Sequence, residues 1–124
     1  MAALTNTVLD GALNVLTSNG DRIDLCSSEP TTYSGISSVS LGNKTSLSIG
    51  SPADRSGGGR EVTVAAITSS ATGSITGTGT ATHYAISNGS DTLYATGSLS
   101  ASQAVTSGNT FTLAAFTIAI PDPA

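Results

Sequence analysis

The feature that most constrains the fold is a period-two pattern between residues 73 and 99, interrupted once by the sequence Asn-Gly-Ser-Asp. From residue 76 to residue 86, threonine, tyrosine and isoleucine occupy the even positions, and small residues with one histidine occupy the odd positions. Alternation of this kind, bounded by asparagine and glycine, is typical of two strands joined by a tight turn. We therefore predict a hairpin with arms at 73–87 and 92–99.

The length of the turn sets which residues face each other across this hairpin. A four-residue loop places Ile86 opposite Leu93, whereas a two-residue turn at Asn88 and Gly89 moves the pairs and leaves the faces unchanged. In this register the apolar face of the hairpin carries the side chains of Tyr84, Ile86, Leu93, Ala95 and Leu99.

His83 and Tyr94 fall together on the opposite, less apolar face of the hairpin. The small neighbours Ala81 and Ala85 leave room there for another chain, and tyrosine is favoured at protein interfaces. The pattern therefore predicts that His83 and Tyr94 lie at a contact with a neighbouring subunit. Alternatively, a bulge at a glycine of the first arm exchanges the faces and buries His83, with its ring nitrogens bonded to backbone or threonine hydroxyls.

Residues 3–17 are predicted to form an amphipathic helix, because leucine, valine and alanine recur at helical spacing and Gly20 suits the left-handed position that follows a helix. Gly11 weakens this helix by about 1 kcal/mol relative to alanine, so the helix needs a surface on which to dock. Residues 21–124 form the β-rich body in this prediction. Its other elements are strands at 21–28 and 60–68, a helical turn at 33–38 and a turn at 41–45 between short extended pieces. In the final strand the apolar residues change from odd to even positions at Ala114 and Ala115. A bulge or burial of the strand on both sides would explain this change of parity.

Residues 51–60 form the clearest loop, since Pro52, Asp54 and three successive glycines resist regular structure. This loop carries Arg55 and Arg60, two of the four cationic side chains in the chain. The glycines permit close approach of another backbone, and the arginine guanidinium is well suited to protein contacts. We therefore expect Arg55 and Arg60 to contact a partner protein without supporting stability, with a solvated loop as the alternative.

Charge and composition restrict the partners. The chain has 20 serines and 19 threonines among 124 residues, 10% charged residues and a net charge of −4. Four cationic side chains cannot neutralise many phosphates, which argues against nucleic acid. No apolar run reaches the roughly 20 residues that span a bilayer, and the N-terminus lacks the basic start of a secretory signal. We therefore expect no membrane partner, and synthesis in the cytoplasm as a soluble chain.

The titratable residues form no recognisable catalytic or metal-binding motif. His83 is the single histidine and Cys26 the single cysteine, so an internal disulfide is impossible and a metal site would need scattered carboxylates. Cys26 lies in a strand-like segment and is predicted to be buried and unreactive. Asp21, Arg22 and Asp24 are interpreted as a solvated ion-pair cluster rather than an acid–base pair. We expect no enzyme activity, no cofactor and no metal.

The second half contains four short motifs in a fixed order. The end of a strand at Tyr84–Ile86 is followed by a turn and then by L-x-A-T-G-x-L at Leu93–Leu99. V-x-S-G-x-T-F-x-L follows at Val105–Leu113, and I-x-I-P-D follows at Ile118–Asp122. In this order the chain resembles small virion proteins of tailed bacteriophages. The segments from Leu13 to Tyr33 and from Leu41 to Ile67 are similar to chains encoded among phage head and tail genes. These motifs are turns and core positions, so the resemblance implies a fold more than a role and transfers no catalytic residues.

The resemblance implies a virion structural protein. The size, acidity and low content of charged residues of the chain suit a capsid decoration protein, also called a cement protein. Such a protein binds the outside of the head, bridges major capsid subunits and contacts its own copies. Weak contacts would be multiplied by the symmetry of the lattice. The alternatives are a tail or fibre component, which would bind tail proteins or the host, and a carbohydrate-binding module, which the scarcity of aromatic residues disfavours.

For the fold, these patterns predict a mainly β protein of one domain over residues 1–124. We expect an antiparallel β-sandwich or flattened barrel, with the helix at 3–17 packed along one side.

Overall fold

The computed structural model describes residues 4–70 and 72–121. Within these ranges the chain forms two helices and a set of antiparallel strands. The helices are α1 (Asn6–Asn19) and α2 (Tyr33–Val39), and the strands are β1 (Arg22–Cys26), β2 (Ser40–Thr45), β3 (Ala53–Asp54), β4 (Arg60–Val64), β5 (Gly73–Ile75), β6 (Gly79–Ser87), β7 (Leu93–Val105), β8 (Thr110–Phe111) and β9 (Phe116–Ile120).

Six of these strands form one sheet in the order β7-β6-β1-β2-β5-β8, and the other three form a second sheet in the order β3-β4-β9. Ile23 and Leu25 of β1 are fully buried and share one core with Val62 and Val64 of β4. The predicted antiparallel β-sandwich is therefore confirmed. The two sheets remain separate, so the flattened-barrel alternative is not adopted.

The outer face of the larger sheet is covered by α2, the helical turn predicted at 33–38. Thr32 caps this helix, since its hydroxyl oxygen accepts a hydrogen bond from the Gly35 N–H at 3.0 Å. Ile36 packs there against Cys26 and Ala85. The central strand β1 is thus covered on both faces, which explains why four successive residues of β1 are buried although polar and apolar residues alternate along it.

The predicted N-terminal helix is confirmed as α1, but it spans 6–19 rather than 3–17, and residue 3 lies outside the described ranges. Leu9, Leu13 and Leu16 are buried, as the helical spacing predicts. Gly20 follows the helix with a φ of −78°, so the predicted left-handed conformation is wrong. Glycine is required there for a different reason, because a Cβ would lie 2.7 Å from the Leu16 carbonyl oxygen.

The first arm of the predicted hairpin consists of two strands. β5 pairs with β2 and β8, whereas β6 pairs with β1 and β7, so residues 76–78 carry the chain past two strands. The N–H groups of Thr76 and Gly77 both donate to the Leu41 carbonyl oxygen, at 2.8 and 3.0 Å. Alternation does not reveal this change of partner, because Ile75 and Ala81 have the same parity and face the same core.

Residues 41–45, predicted as a turn, form most of β2. Gly42 pairs with Leu25 on one side and Ile75 on the other. A Cβ on Gly42 would collide with the Ser74 backbone. The prediction was wrong because a glycine that permits close packing of strands carries the same local signal as a glycine in a turn.

Two bulges disturb the pairing of β6 with β7. At the first, Thr82 alone stands opposite the four residues 99–102 of β7. At the second, Tyr94 is an extra residue between Leu93 and Ala95, which pair with successive residues of β6. Each bulge changes which face the following residues occupy.

These bulges separate His83 from Tyr94. His83 pairs with Cys26 and so lies on the face covered by α2, whereas Tyr94 packs against the main core. Leu93, predicted to face the main core, packs on the α2 face. The prediction that His83 and Tyr94 share a face is therefore wrong. The alternative, a bulge at a glycine that buries His83 in the core, is wrong as well, because the bulge falls at Thr82 and leaves His83 half-buried on the face opposite Tyr84.

The change of parity near Ala114 marks a crossing between the sheets. Phe111 ends β8 in the larger sheet, Leu113 bridges Ile67, and Phe116 begins β9 in the smaller sheet. Both predicted explanations, a bulge and a doubly buried strand, are therefore wrong. The inward parity changes because the two sheets present opposite faces to the same core.

Candidate functional site

A cleft of about 350 Å³ opens where β7, at the edge of the larger sheet, approaches the start of β9, at the edge of the smaller sheet. Its lining consists of Tyr84, residues 98–101 and Gln103 of β7, and residues 113–117. We call this surface the flank cleft. Its lining combines aliphatic and aromatic side chains with hydroxyl groups and one amide, and it carries no charged side chain.

Tyr84 and Phe116 join the two walls of the flank cleft. Their ring centroids lie 4.6 Å apart with the planes tilted by 48°, a geometry typical of attractive aromatic pairs. Gly97 lies opposite Tyr84 on β7, and a Cβ there would come within 2.6 Å of the tyrosine ring. The glycine therefore lets the ring lie against the strand. Burial raises the pKa of the Tyr84 hydroxyl above its ordinary value.

The two walls are fixed by backbone interactions. The first bulge directs Leu99 and its neighbours into the cleft, and it is held by Thr82, whose hydroxyl donates to the Ser27 carbonyl oxygen at 2.9 Å. On the other wall, Leu113 and Ile67 exchange two backbone hydrogen bonds of 2.8 and 2.9 Å. Hydrogen bonds within the chain therefore hold both walls of the flank cleft.

The chemistry of the flank cleft is that of recognition. Hydroxyl and amide groups can accept or donate hydrogen bonds, but none of the lining groups is a strong acid, base or nucleophile at neutral pH. Across residues 4–70 and 72–121, no three His, Cys, Asp or Glu side chains gather in a group that could hold a metal ion. In the same ranges neither helix has the length and apolar character needed to cross a bilayer.

Arg60, predicted to contact a partner, is engaged within the chain. Its Nε and Nη2 donate to the Asp10 carboxylate at 2.7 and 3.1 Å, and Nη1 donates to Asp54 at 2.6 Å. The side chain is 15% exposed. The carboxylates of Asp10 and then Asp54 raise the pKa of the Arg60 guanidinium above its ordinary value. Arg60 thus joins α1 to the β3–β4 hairpin, so its replacement should lower stability, contrary to the expectation from the sequence.

Arg55 lies in the turn between β3 and β4, within the segment predicted to be a loop. Its Nη1 donates to the Gly58 carbonyl oxygen at 3.0 Å. Gly57, Gly58 and Gly59 have φ angles of 89°, 103° and 93°, which other residues rarely adopt. The half-buried Arg55 therefore covers a tight glycine turn. Neither Arg55 nor Arg60 lines the flank cleft.

His83 is half-buried and bonded to a neighbouring hydroxyl. Its Nδ1 lies 2.9 Å from the Thr82 Oγ1, whose only proton is donated to the Ser27 carbonyl oxygen. The hydroxyl must therefore accept, and Nδ1 of His83 must carry the proton. The prediction of a hydroxyl-bonded histidine describes this contact. His83 and Tyr94 both lie outside the flank cleft.

Asp24, predicted to be in a solvated cluster, is fully buried. Its carboxylate accepts hydrogen bonds from Nε and Nη2 of Arg22 at 2.9 and 3.1 Å and from the Ser40 hydroxyl at 2.7 Å. The hydrogen bond with Asp24 raises the pKa of the Arg22 guanidinium above its ordinary value. These groups satisfy one another beside α2, so we interpret them as structural. Cys26 is buried beside them, as predicted, and desolvation raises its thiol pKa to about 12.

Comparison of the chain with protein-family models, curated proteins and solved structures finds no match. Sequence reasoning missed the flank cleft, since its residues come from three separated segments. The one local signal was the change of parity at Ala114 and Ala115, which are part of its lining.

Proposed function

We propose that this chain is a virion structural protein of a tailed bacteriophage, a capsid decoration protein that bridges neighbouring major capsid subunits on the outside of the head. The flank cleft is the observation that carries the proposal. An uncharged, preformed cleft with apolar walls and a rim of hydroxyl groups has the composition of a protein-recognition surface. A segment of a neighbouring capsid subunit would occupy it.

Two further properties support this role. The resemblance of the turn and core motifs to phage virion proteins points to a lattice environment. The chain also has 39 serine and threonine residues and only 12 charged ones, which gives a surface suited to packing without strong repulsion between copies. On a symmetric lattice many weak contacts act together, so each cleft needs only modest affinity.

The proposal is tested by cosedimentation of the purified protein with purified phage heads and, separately, with purified tails. We expect saturable binding to heads. Binding to tails alone would support the tail or fibre alternative, and binding to neither would contradict both assignments.

A matched pair of variants tests the role of the flank cleft. Ala101 and Ala104 are both exposed residues of β7, but only Ala101 lines the cleft. Ala101→Asp places a charge in an apolar contact and should weaken binding to heads about tenfold or more, equivalent to roughly 1.4 kcal/mol. Ala104→Asp should bind like the wild type. Equal binding by both variants would exclude the cleft as the attachment site.

A further inference from the structure

β9 is an edge strand whose own five residues carry none of the usual protection against pairing, and Pro121 follows directly after them. Its five residues, Phe-Thr-Ile-Ala-Ile, contain no charge and no proline, and its register with β4 is continuous. The other sheet ends differ: β7 is interrupted by bulges, and β3 and β8 have two residues each. Proteins normally protect an edge with charges, bulges or short strands, because its open backbone groups can pair with another chain.

The hydrogen bonds of β4 show which of its backbone groups face β9. The Gly50 N–H donates to the Thr63 carbonyl oxygen, and the Ala65 N–H donates to the Ser48 carbonyl oxygen, both at 2.9 Å. Thr63 therefore directs its backbone groups away from β9. Because these groups alternate along a strand, Val62 and Val64 direct theirs toward β9.

This alternation also defines the open edge of β9. Ile118 and Phe116 stand opposite Val62 and Val64, so their backbone groups are directed to β4. The N–H and C=O groups of Thr117 and Ala119 point the other way, to a side of β9 where no strand within residues 4–70 and 72–121 pairs with it. Two donors and two acceptors are thus aligned for pairing with an added strand.

We propose that β9 pairs antiparallel with β9 of a second copy of this chain, around a twofold axis at Ile118. In this register Thr117 of one copy stands opposite Ala119 of the other, so the groups with open donors and acceptors meet and form four hydrogen bonds. Phe116 meets Ile120 of the second copy on the inward face. The smaller sheets of the two copies then join as one six-stranded sheet.

The twofold symmetry of the pairing favours a second copy as the occupant, and charge does not oppose it. Each chain has a net charge of −4, yet β9 itself is neutral. Glu61 lies on the neighbouring strand, so two Glu61 side chains would be at least three strand spacings apart, about 14 Å. This distance exceeds the Debye length of about 8 Å at physiological ionic strength. The twofold contact uses both open edges, so association stops at a dimer.

The proposal is tested by sedimentation velocity over increasing concentrations of the wild type, Ala119→Pro and Ala119→Thr. Proline removes the open N–H of Ala119 without removing a bond to β4, and threonine keeps that N–H. We expect wild type and Ala119→Thr to show a reversible dimer in the micromolar range, because a five-residue edge buries little surface. Ala119→Pro should dimerise at least tenfold more weakly, with an unchanged circular dichroism spectrum.

A cross-link provides a second readout that does not depend on proline. At the proposed axis the two Ile118 Cα atoms form a non-hydrogen-bonded pair about 4.5 Å apart, within the range a disulfide spans. Ile118→Cys should therefore form a disulfide-linked dimer under mild oxidation, whereas Ala104→Cys on β7 should not. The native Cys26 is buried and does not interfere.

Three results would overturn the proposal: a monomeric wild type at all concentrations, equal dimerisation of Ala119→Pro and Ala119→Thr, or a wild-type dimer without a cross-link at Ile118→Cys. Head binding through the flank cleft is measured separately with Ala101→Asp. Phe116 and Thr117 belong to both surfaces, so dimerisation is measured in the absence of heads, and head binding is measured with a variant that leaves β9 unchanged. Each proposal can therefore be refuted by its own measurement.

Discussion

Replacing Arg22 by methionine should destabilise the fold more than replacing its partner Asp24 by asparagine. The reason is an asymmetry of burial, since the Asp24 side chain is 1% exposed and the Arg22 side chain is 31% exposed. Arg22→Met leaves a buried carboxylate with only the Ser40 hydroxyl as a side-chain partner. Asp24→Asn leaves a guanidinium that can turn toward water.

The magnitudes follow from these partners. Removing one member of a buried ion pair costs about 3–5 kcal/mol, so Arg22→Met should lose about 4 kcal/mol. In Asp24→Asn the amide oxygen still accepts one hydrogen bond, and the expected loss is about 2 kcal/mol, as for a charge-assisted hydrogen bond. Ser40→Ala removes a single hydroxyl donor and should cost about 1 kcal/mol.

Urea unfolding followed by circular dichroism measures these losses. With a slope of roughly 2 kcal/mol per molar urea, Arg22→Met should lower the midpoint by about 2 M and Asp24→Asn by about 1 M. The double variant Arg22→Met with Asp24→Leu should be more stable than Arg22→Met alone, because no buried charge remains. A loss below about 1 kcal/mol for Arg22→Met, or a larger loss for Asp24→Asn, would refute this reasoning.

Three other predictions follow from single side chains. Arg60→Ala should lower the calorimetric Tm, and less so in high salt, whereas Arg55→Ala, which removes one hydrogen bond within a turn, should lower Tm less; equal effects would contradict the assigned contacts. Gly11→Ala should raise the urea-derived stability by about 1 kcal/mol, since a Cβ there meets open space; no gain would contradict this. Cys26 should react with a thiol reagent only after unfolding. Because its native thiol pKa is raised from 9.0 to about 12, unfolding should become easier as pH rises between these values, where only the unfolded chain ionises.

The sequence pattern was sufficient to predict the buried face of a segment where only one face of that segment packs against the rest of the protein. Leu9, Leu13 and Leu16 repeat at helical spacing and are buried along α1. Val62 and Val64 alternate with exposed or half-buried residues and face the core. In each case the period of the sequence matches the period of the element, so the buried face can be deduced from the sequence alone.

The sequence pattern failed to predict strand boundaries, bulges and the flank cleft, because these features depend on contacts between segments that are distant in the sequence. Whether residues 73–87 form one strand or two depends on their pairing with β1 and β2, far away in sequence. The bulges at Thr82 and Tyr94 exchange faces without any proline or glycine at either position to mark them. The flank cleft combines Tyr84 with two other segments, and only the folded sandwich brings them together.

The position of β1 between β2 and β6 also imposes an order on folding. Ile23 pairs with Lys44 on one side and with Ile86 on the other, so only one of its neighbours is close in sequence. During synthesis, α1, β1, α2 and β2 can associate early, while the second edge of β1 has no partner until residues 79–87 emerge from the ribosome. Distant pairings of this kind slow folding, because closing long loops costs entropy before contacts compensate. Residues 113–117 follow strands β1 to β8 in the chain, so the flank cleft cannot be complete before they have emerged.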